Sequence, residues 1–164
     1  ECKAELRAEG VDFNENIEVG VMMETAAAAN IADDLAEEAA FFSIGTNDLT
    51  GYTMASDRGN DKVSYLYSWY YPAVLRAIKN IIVEGVKKGI MVGMCGEAAA
   101  DPLLTPLLIS WGMEEFSVSA PSVLRTRKAI SQWTKADADA LEEQVMQLKT
   151  ADEVMAALEE AARK

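Results

Sequence analysis

The side chains best suited to chemistry in this sequence stand at the ends of short apolar runs. Residues 41–58 read FFSIGTNDLTGYTMASDR, where Phe41, Phe42 and Ile44 break at Gly45 into Thr46, Asn47 and Asp48. That pattern predicts a buried strand stopping at a polar loop. Residues 19–25, VGVMMET, repeat it with Glu24 near the end, and residues 90–97, IMVGMCGE, close on Cys95, Gly96 and Glu97. Parallel α/β proteins collect their functional side chains at the carboxyl ends of strands. Three runs that each deliver such a side chain predict one shared site.

Each candidate has two readings. Glu24 and Asp48, on neighbouring parallel strands, would offer carboxylate oxygens to one mouth, a donor set that suits Mg²⁺ with water and substrate oxygens completing the shell. Alternatively, Glu24 serves a helix start and Asp48 satisfies the turn after Gly45. Gly45-Thr46-Asn47-Asp48 supplies successive backbone N–H groups that can hold an anion, and it is equally ordinary turn chemistry. Arg58 could fork onto a phosphate, or pair at the surface with Asp57 or Asp61. Cys95 either packs as an inert hydrophobe or gives and takes a proton. Gly93 and Gly96 on either side of Met94-Cys95, with Glu97 beyond, favour the second reading, because bare backbone around a thiol lets something approach closely.

The elements that must position these residues follow from periodicity and capping. Strands are expected at residues 19–23, 41–44, 90–94 and 116–119. Helices are expected at 2–9 before Gly10, at 26–38 behind a Thr25 cap, at 72–88 and at 102–111 before Gly112. The 72–88 helix opens on Pro72, repeats Val74, Leu75, Ile78, Ile81, Ile82 and Val86 on one face, and closes on Lys87, Lys88 and Gly89. Residues 49–66 read as loop with one short helix. Thr134 with Asp137 and Thr150 with Glu153 open two further helices. Alternating strand and helix predicts an α/β fold with a parallel sheet and right-handed crossovers. Four βα units make half of an eight-fold TIM-type barrel, or else a small open sheet. The chain reads as a single domain, 1–164, with a helical tail at 134–164.

Composition removes several function classes. The chain has 164 residues, 27 Asp+Glu against 15 Lys+Arg and a formal charge of −12, which argues against a nucleic-acid partner. It has no histidine, so no imidazole base, phosphoacceptor or metal ligand. Cys2 and Cys95 lack disulfide or metal spacing, no signal peptide is evident, and no apolar run would span a bilayer. A cytoplasmic setting is expected. The chain opens at Glu1 directly in helical sequence, as a piece of a longer protein would.

Taken together, GVMMET, FFSIGTNDLTGYTMASDR, KVSYLY, PAVLR, GMCGE and EFSVSAPSVLRTR resemble the phosphoenolpyruvate-binding C-terminal domain of enzyme I of the bacterial sugar phosphotransferase system. The wider family shares its barrel with phosphoenolpyruvate synthase and pyruvate phosphate dikinase. The resemblance runs over nearly the whole chain in motif order and spacing. It implies a TIM barrel, of which this chain would be the C-terminal half. It implies that Glu24 and Asp48 bind Mg²⁺, and that Asn47 and Arg58, with Gly45 and Thr46, hold phosphoenolpyruvate. Cys95 would be the acid/base that protonates the enolate carbon as pyruvate forms. The sequence departs from the family where Thr25, Ala26 and Ala27 follow Glu24, where Trp69 and Tyr71 replace a Pro and an Asn or His, and in CGEAAAD. The family's arginines on earlier strands, and the domain with the phosphoacceptor histidine that meets the phosphocarrier protein, have no counterpart here. The chain alone is therefore expected to be catalytically silent and to pair as a homodimer. The alternatives are a piece of a synthase or dikinase, or a non-catalytic dimerisation module.

Overall fold

Four strands, β1 (Val21–Met23), β2 (Phe41–Gly45), β3 (Met91–Cys95) and β4 (Glu115–Phe116), form one sheet in the computed structural model, all parallel and in chain order. The structure describes residues 1–163; Lys164, the last residue of the expected helical tail, lies outside the described residues. Register places Met23 beside Ile44, Ile44 beside Met94, and Gly45 beside Cys95. Since side chains alternate along a strand, this register divides the sheet into two faces. Met23, Phe42, Ile44, Val92 and Met94 share one face and are fully buried. Met22, Ser43, Gly93, Cys95 and Glu115 share the other, where Met22 is 46% exposed.

Nine helices are present among the described residues: α1 (Cys2–Glu9), α2 (Ala26–Asn30), α3 (Ala32–Glu38), α4 (Thr46–Met54), α5 (Pro72–Lys88), α6 (Thr105–Trp111), α7 (Val123–Ser131), α8 (Lys135–Val145) and α9 (Ala151–Ala161). α5 forms where its sequence predicts, except that Val86, expected on the apolar face with the others, is 42% exposed. Pro72 stands in the first turn, Gly89 closes it in the left-handed region at φ 75°, and Val74, Leu75, Ile78, Ile81 and Ile82 are buried. Burying each such side chain is worth about 1.5–3 kcal/mol. Gly85 lets α5 lie flat on the core face, since a Cβ there would fall 2.5 Å from Val92 Cγ2 and 3.2 Å from the Phe42 ring.

Several expectations need correcting. The single helix over 26–38 is two, because Asn80 donates to Ala29 O at 2.8 Å and Asn30 folds back onto Ala26 O at 2.9 Å. With the Ala29 carbonyl taken, the helix breaks at Ile31 and restarts. The expected strand at 19–23 starts only at Val21, Val19 being 73% exposed. The fourth strand is Glu115–Phe116 rather than 116–119, although Ser117 N–H still donates to Met94 O at 2.9 Å. The helix expected at 102–111, α6, begins at Thr105, after Asp101 has accepted from Leu103 N–H. α7 was not expected from the sequence. In the tail, Thr150 and Glu153 form a full capping box, whereas Thr134 accepts from the Asp137 N–H without the reciprocal bond.

Candidate active site

The largest correction concerns the polar stretch after β2: Thr46–Met54 is the helix α4, with Gly45 as its N-cap. Nothing in its apolar spacing announces this. Contacts from elsewhere hold it in place. Thr46 Oγ1 donates to Cys95 O at 3.1 Å, the Tyr67 hydroxyl donates to Asn47 O at 2.9 Å, and Leu49 and Thr50 are buried. Asp48 thus stands exposed in the first turn of a helix rather than in a loop.

Register carries the rest of the geometry. Glu24 follows Met23, the partner of Ile44, so Glu24, Gly45 and Cys95 stand level across three adjacent strand ends. A Cβ on Gly45 would fall 2.8 Å from Glu24 Oε2 and 2.9 Å from Glu24 Cβ. The Glu24 carboxylate therefore lies across the space that the glycine leaves free. On the far side, Gly96 (φ 98°) lies where a Cβ would meet Thr46 Oγ1 at 2.4 Å and Asn47 Oδ1 at 3.2 Å. The two glycines let the β2 and β3 ends close on one another.

Cys95 is half-buried and on the face away from the core. Its thiol reaches Ile44 O at 3.6 Å, the Ser43 hydroxyl reaches its sulfur at 3.8 Å, and Met22 Sδ is 4.0 Å away. Asn47, Asp48, Arg58 and Tyr67 line a cavity of about 530 Å³. A second cavity of about 580 Å³ takes in Asn47, Gly96, Glu97, Asp101 and Arg125. Asn47 borders both. Neither Glu24 nor Cys95 lines either cavity; they stand on the sheet rim beside them.

Arg58 forms no ion pair with Asp57 or Asp61 among the described residues. Asp57 instead accepts from the Gly59 N–H at 2.8 Å. Arg58 lines the same cavity as Tyr67. Burial raises the pKa of the Tyr67 phenol, and nearby Arg58 opposes part of that rise.

Glu24, set over Gly45, and Asp48 are the carboxylates that could hold a hard divalent cation. Among the described residues no group of three or more His, Cys, Asp or Glu gathers as a metal cluster. Two carboxylates with open positions suit Mg²⁺, which keeps waters and takes substrate oxygens.

Residues that sequence reasoning passed over also gather here. Tyr67 lay in the KVSYLY segment and Arg125 in SVLRTR, but nothing in their spacing marked them. Trp69, which departs from the family pattern, donates from Nε1 to Asp101 Oδ2 at 2.8 Å, and the Tyr70 hydroxyl donates to the same oxygen. Burial and that carboxylate push the Tyr70 phenol well above its ordinary range. These bonds pin the 57–71 loop to the end of β3 despite the absent proline.

Comparison with known proteins places the chain in a family. Residues 1–135 match the family described as PEP-utilising enzyme, PEP-binding domain. Phosphoenolpyruvate-protein phosphotransferase of Priestia megaterium is 48% identical over 155 residues, 94% of this chain and 27% of its own length. The protein of the same name from Bacillus subtilis (strain 168) is 47% identical over 160 residues, 98% of this chain and 28% of its own. That from Streptococcus equinus is 56% identical over 127 residues, 77% of this chain and 22% of its own. The chain thus spans 22% to 28% of the length of these relatives. With most of its residues matched, the chain belongs to the PEP-utilising enzyme family, in the PEP-binding domain.

Proposed function

We propose that this chain supplies the metal-binding, phosphate-binding and proton-transfer residues of a phosphoenolpyruvate-protein phosphotransferase. The observation that carries the reading is the alignment of Glu24, Gly45 and Cys95 across three strand ends, beside the cavity shared by Asn47, Asp48 and Arg58. The half-barrel reading draws support from the strand order, since consecutive parallel neighbours with one buried face are what a barrel wall requires. Doubly wound open sheets reverse their strand order instead.

The chain's own residues divide the work. Arg58 forks onto the phosphoryl oxygens of phosphoenolpyruvate, and the Asn47 amide and the N–H groups behind Gly45 and Thr46 add donors. Glu24 and Asp48 would hold Mg²⁺, which when bound neutralises charge on the phosphoryl group and the enolate oxygen. As the P–O bond to the enol oxygen breaks, the phosphoryl group passes to a histidine nitrogen outside this chain, which has no histidine. Cys95 then gives its S–H proton to the enolate carbon. A C–H bond forms, the sulfur keeps the electron pair, and pyruvate leaves. The phosphocarrier protein meets the domain that bears the acceptor histidine.

Calorimetry tests the reading: phosphoenolpyruvate binds in the presence of Mg²⁺, and the heat disappears in Glu24→Ala and Asp48→Ala. Absence of any binding by the parent chain would leave a scaffold that keeps the motif without the chemistry. Turnover is not expected from this chain alone, and pyruvate release with Mg²⁺ and a phosphocarrier protein would refute that part. The half-exposed sheet face around Met22 calls for a cover, which in isolation a second copy supplies. A monomer by sedimentation at micromolar concentration counts against it.

A further inference from the structure

We infer that Ser43 is a positioning residue for Cys95, its hydroxyl holding the sulfur once the thiol proton has left. The inference rests on the reading of Cys95 as proton donor and extends it to a residue that the reading leaves without a part. Ser43 pairs with Gly93 across β2 and β3, so Cys95, two residues further along β3, is its diagonal neighbour on the same face. Gly93 has no side chain to come between them. The Ser43 hydroxyl lies 3.8 Å from Cys95 Sγ.

The sulfur's other near contacts, Ile44 O at 3.6 Å and Met22 Sδ at 4.0 Å, only accept hydrogen bonds. They suit a thiol that still carries its proton. When the S–H bond breaks and the electron pair stays on sulfur, both turn lone pairs toward negative charge. Glu24, level with Cys95 on β1, and Glu97, just past Gly96, add negative charge to the same neighbourhood. Among the described residues the Ser43 hydroxyl is the one side-chain donor to the sulfur, and a donor to an ionised acceptor makes a stronger bond than a neutral pair.

Alkylation of the chain by iodoacetamide at one fixed pH tests this, because the thiolate is the reacting form. Rates are followed on the separate Cys95 and Cys2 peptides by mass spectrometry, with the exposed Cys2 as internal reference. In Ser43→Ala the Cys95:Cys2 rate ratio should fall by about threefold to tenfold, the factor that one lost hydrogen bond corresponds to. Ser43→Thr keeps the hydroxyl and should stay within about twofold of the parent on the same scale. Ser43→Val, which matches threonine in shape without the hydroxyl, should fall with alanine and replaces it should Ser43→Ala not fold. A ratio unchanged or raised in the alanine and valine variants, as a merely space-filling Ser43 would give, overturns the inference. So does a threonine variant as slow as valine. The readout needs neither Mg²⁺ nor phosphoenolpyruvate, so its failure is distinct from failure of the ligand-binding reading.

Discussion

Gly45→Ala isolates the geometry on which the site depends. Gly45 has φ −84° and ψ 82°, so alanine brings no left-handed backbone strain. The whole effect comes from contact. The new methyl would lie 2.8 Å from Glu24 Oε2, 2.9 Å from Glu24 Cβ and 3.2 Å from Met22 Sδ, where ordinary contact begins at 3.4 Å. The carboxylate can swing away, but Glu24 Cβ cannot move without β1. The carboxylate must therefore retreat by more than half an ångström while the strand end shifts. Overpacking of this kind costs about 1–3 kcal/mol. Disturbing the groups that orient a metal ligand typically lowers affinity by about 10–100-fold. Urea unfolding reads the first effect and Mg²⁺ titration calorimetry the second. A double-mutant cycle with Glu24→Ala gives the sharper reading, because the shorter side chain removes the Oε2 contact and leaves the Cβ contact. The two changes should be non-additive in stability, with the second methyl less costly once Glu24 is truncated. Gly45→Ala that binds Mg²⁺ like the parent and unfolds at the same urea concentration would refute the account of Gly45 as the cradle for Glu24.

Other changes act on the supports around the site. Tyr67→Phe removes the donor to Asn47 O and should cost about 0.5–1.5 kcal/mol by urea unfolding. Gly96→Ala combines φ 98° with a methyl 2.4 Å from Thr46 Oγ1, so a loss above about 2 kcal/mol is expected from strain and overpacking together. A thermal midpoint equal to the parent's would contradict it. In the tail, N–H groups of Lys149 and Thr150 hold the Glu153 carboxylate below its ordinary 4.5. A depressed folded value means stability that is present above 4.5 and lost as pH falls through the folded value, so Glu153→Gln should flatten that acid limb of the unfolding midpoint.

What could be read ahead of the structure was what local rules decide. α5 declared itself by its apolar period, Pro72 and Gly89, and the first three strands by apolar runs that break at glycine or a carboxylate. The strand ends then located Glu24, Asp48 and Cys95. What could not be read depends on distant partners. α4 carries Gly51, Tyr52 and Thr53 and has no apolar stripe; it forms because Tyr67 and Cys95 O bind its first turn. The break at Ile31 depends on Asn80, 49 positions away in sequence. Ser43 in an apolar run reads as an ordinary strand residue until register sets it diagonal to the thiol. Sequence spacing locates side chains along strands, whereas pairing decides which of them meet.

The same pairing explains why the chain should hold the reacting groups without turning over. Met23, Phe42, Ile44, Val92 and Met94 are fully buried on one sheet face, whereas Cys95 lies on the other with Met22, which is 46% exposed, and Asp48 and Arg58 meet solvent. Charges that stabilise a transferring phosphoryl group act weakly in water and strongly in a dry cavity. A thiol that protonates carbon must likewise compete with solvent for the enolate. Binding tolerates this exposure, since Glu24 is cradled over Gly45 before any ligand arrives. Catalysis does not, because rate depends on what is gained between bound substrate and transition state, and an open face gives much of that gain back to water. Affinity without turnover is therefore the expected outcome, and covering the Met22 face alone should not change it, because the chain has no histidine to accept the phosphoryl group.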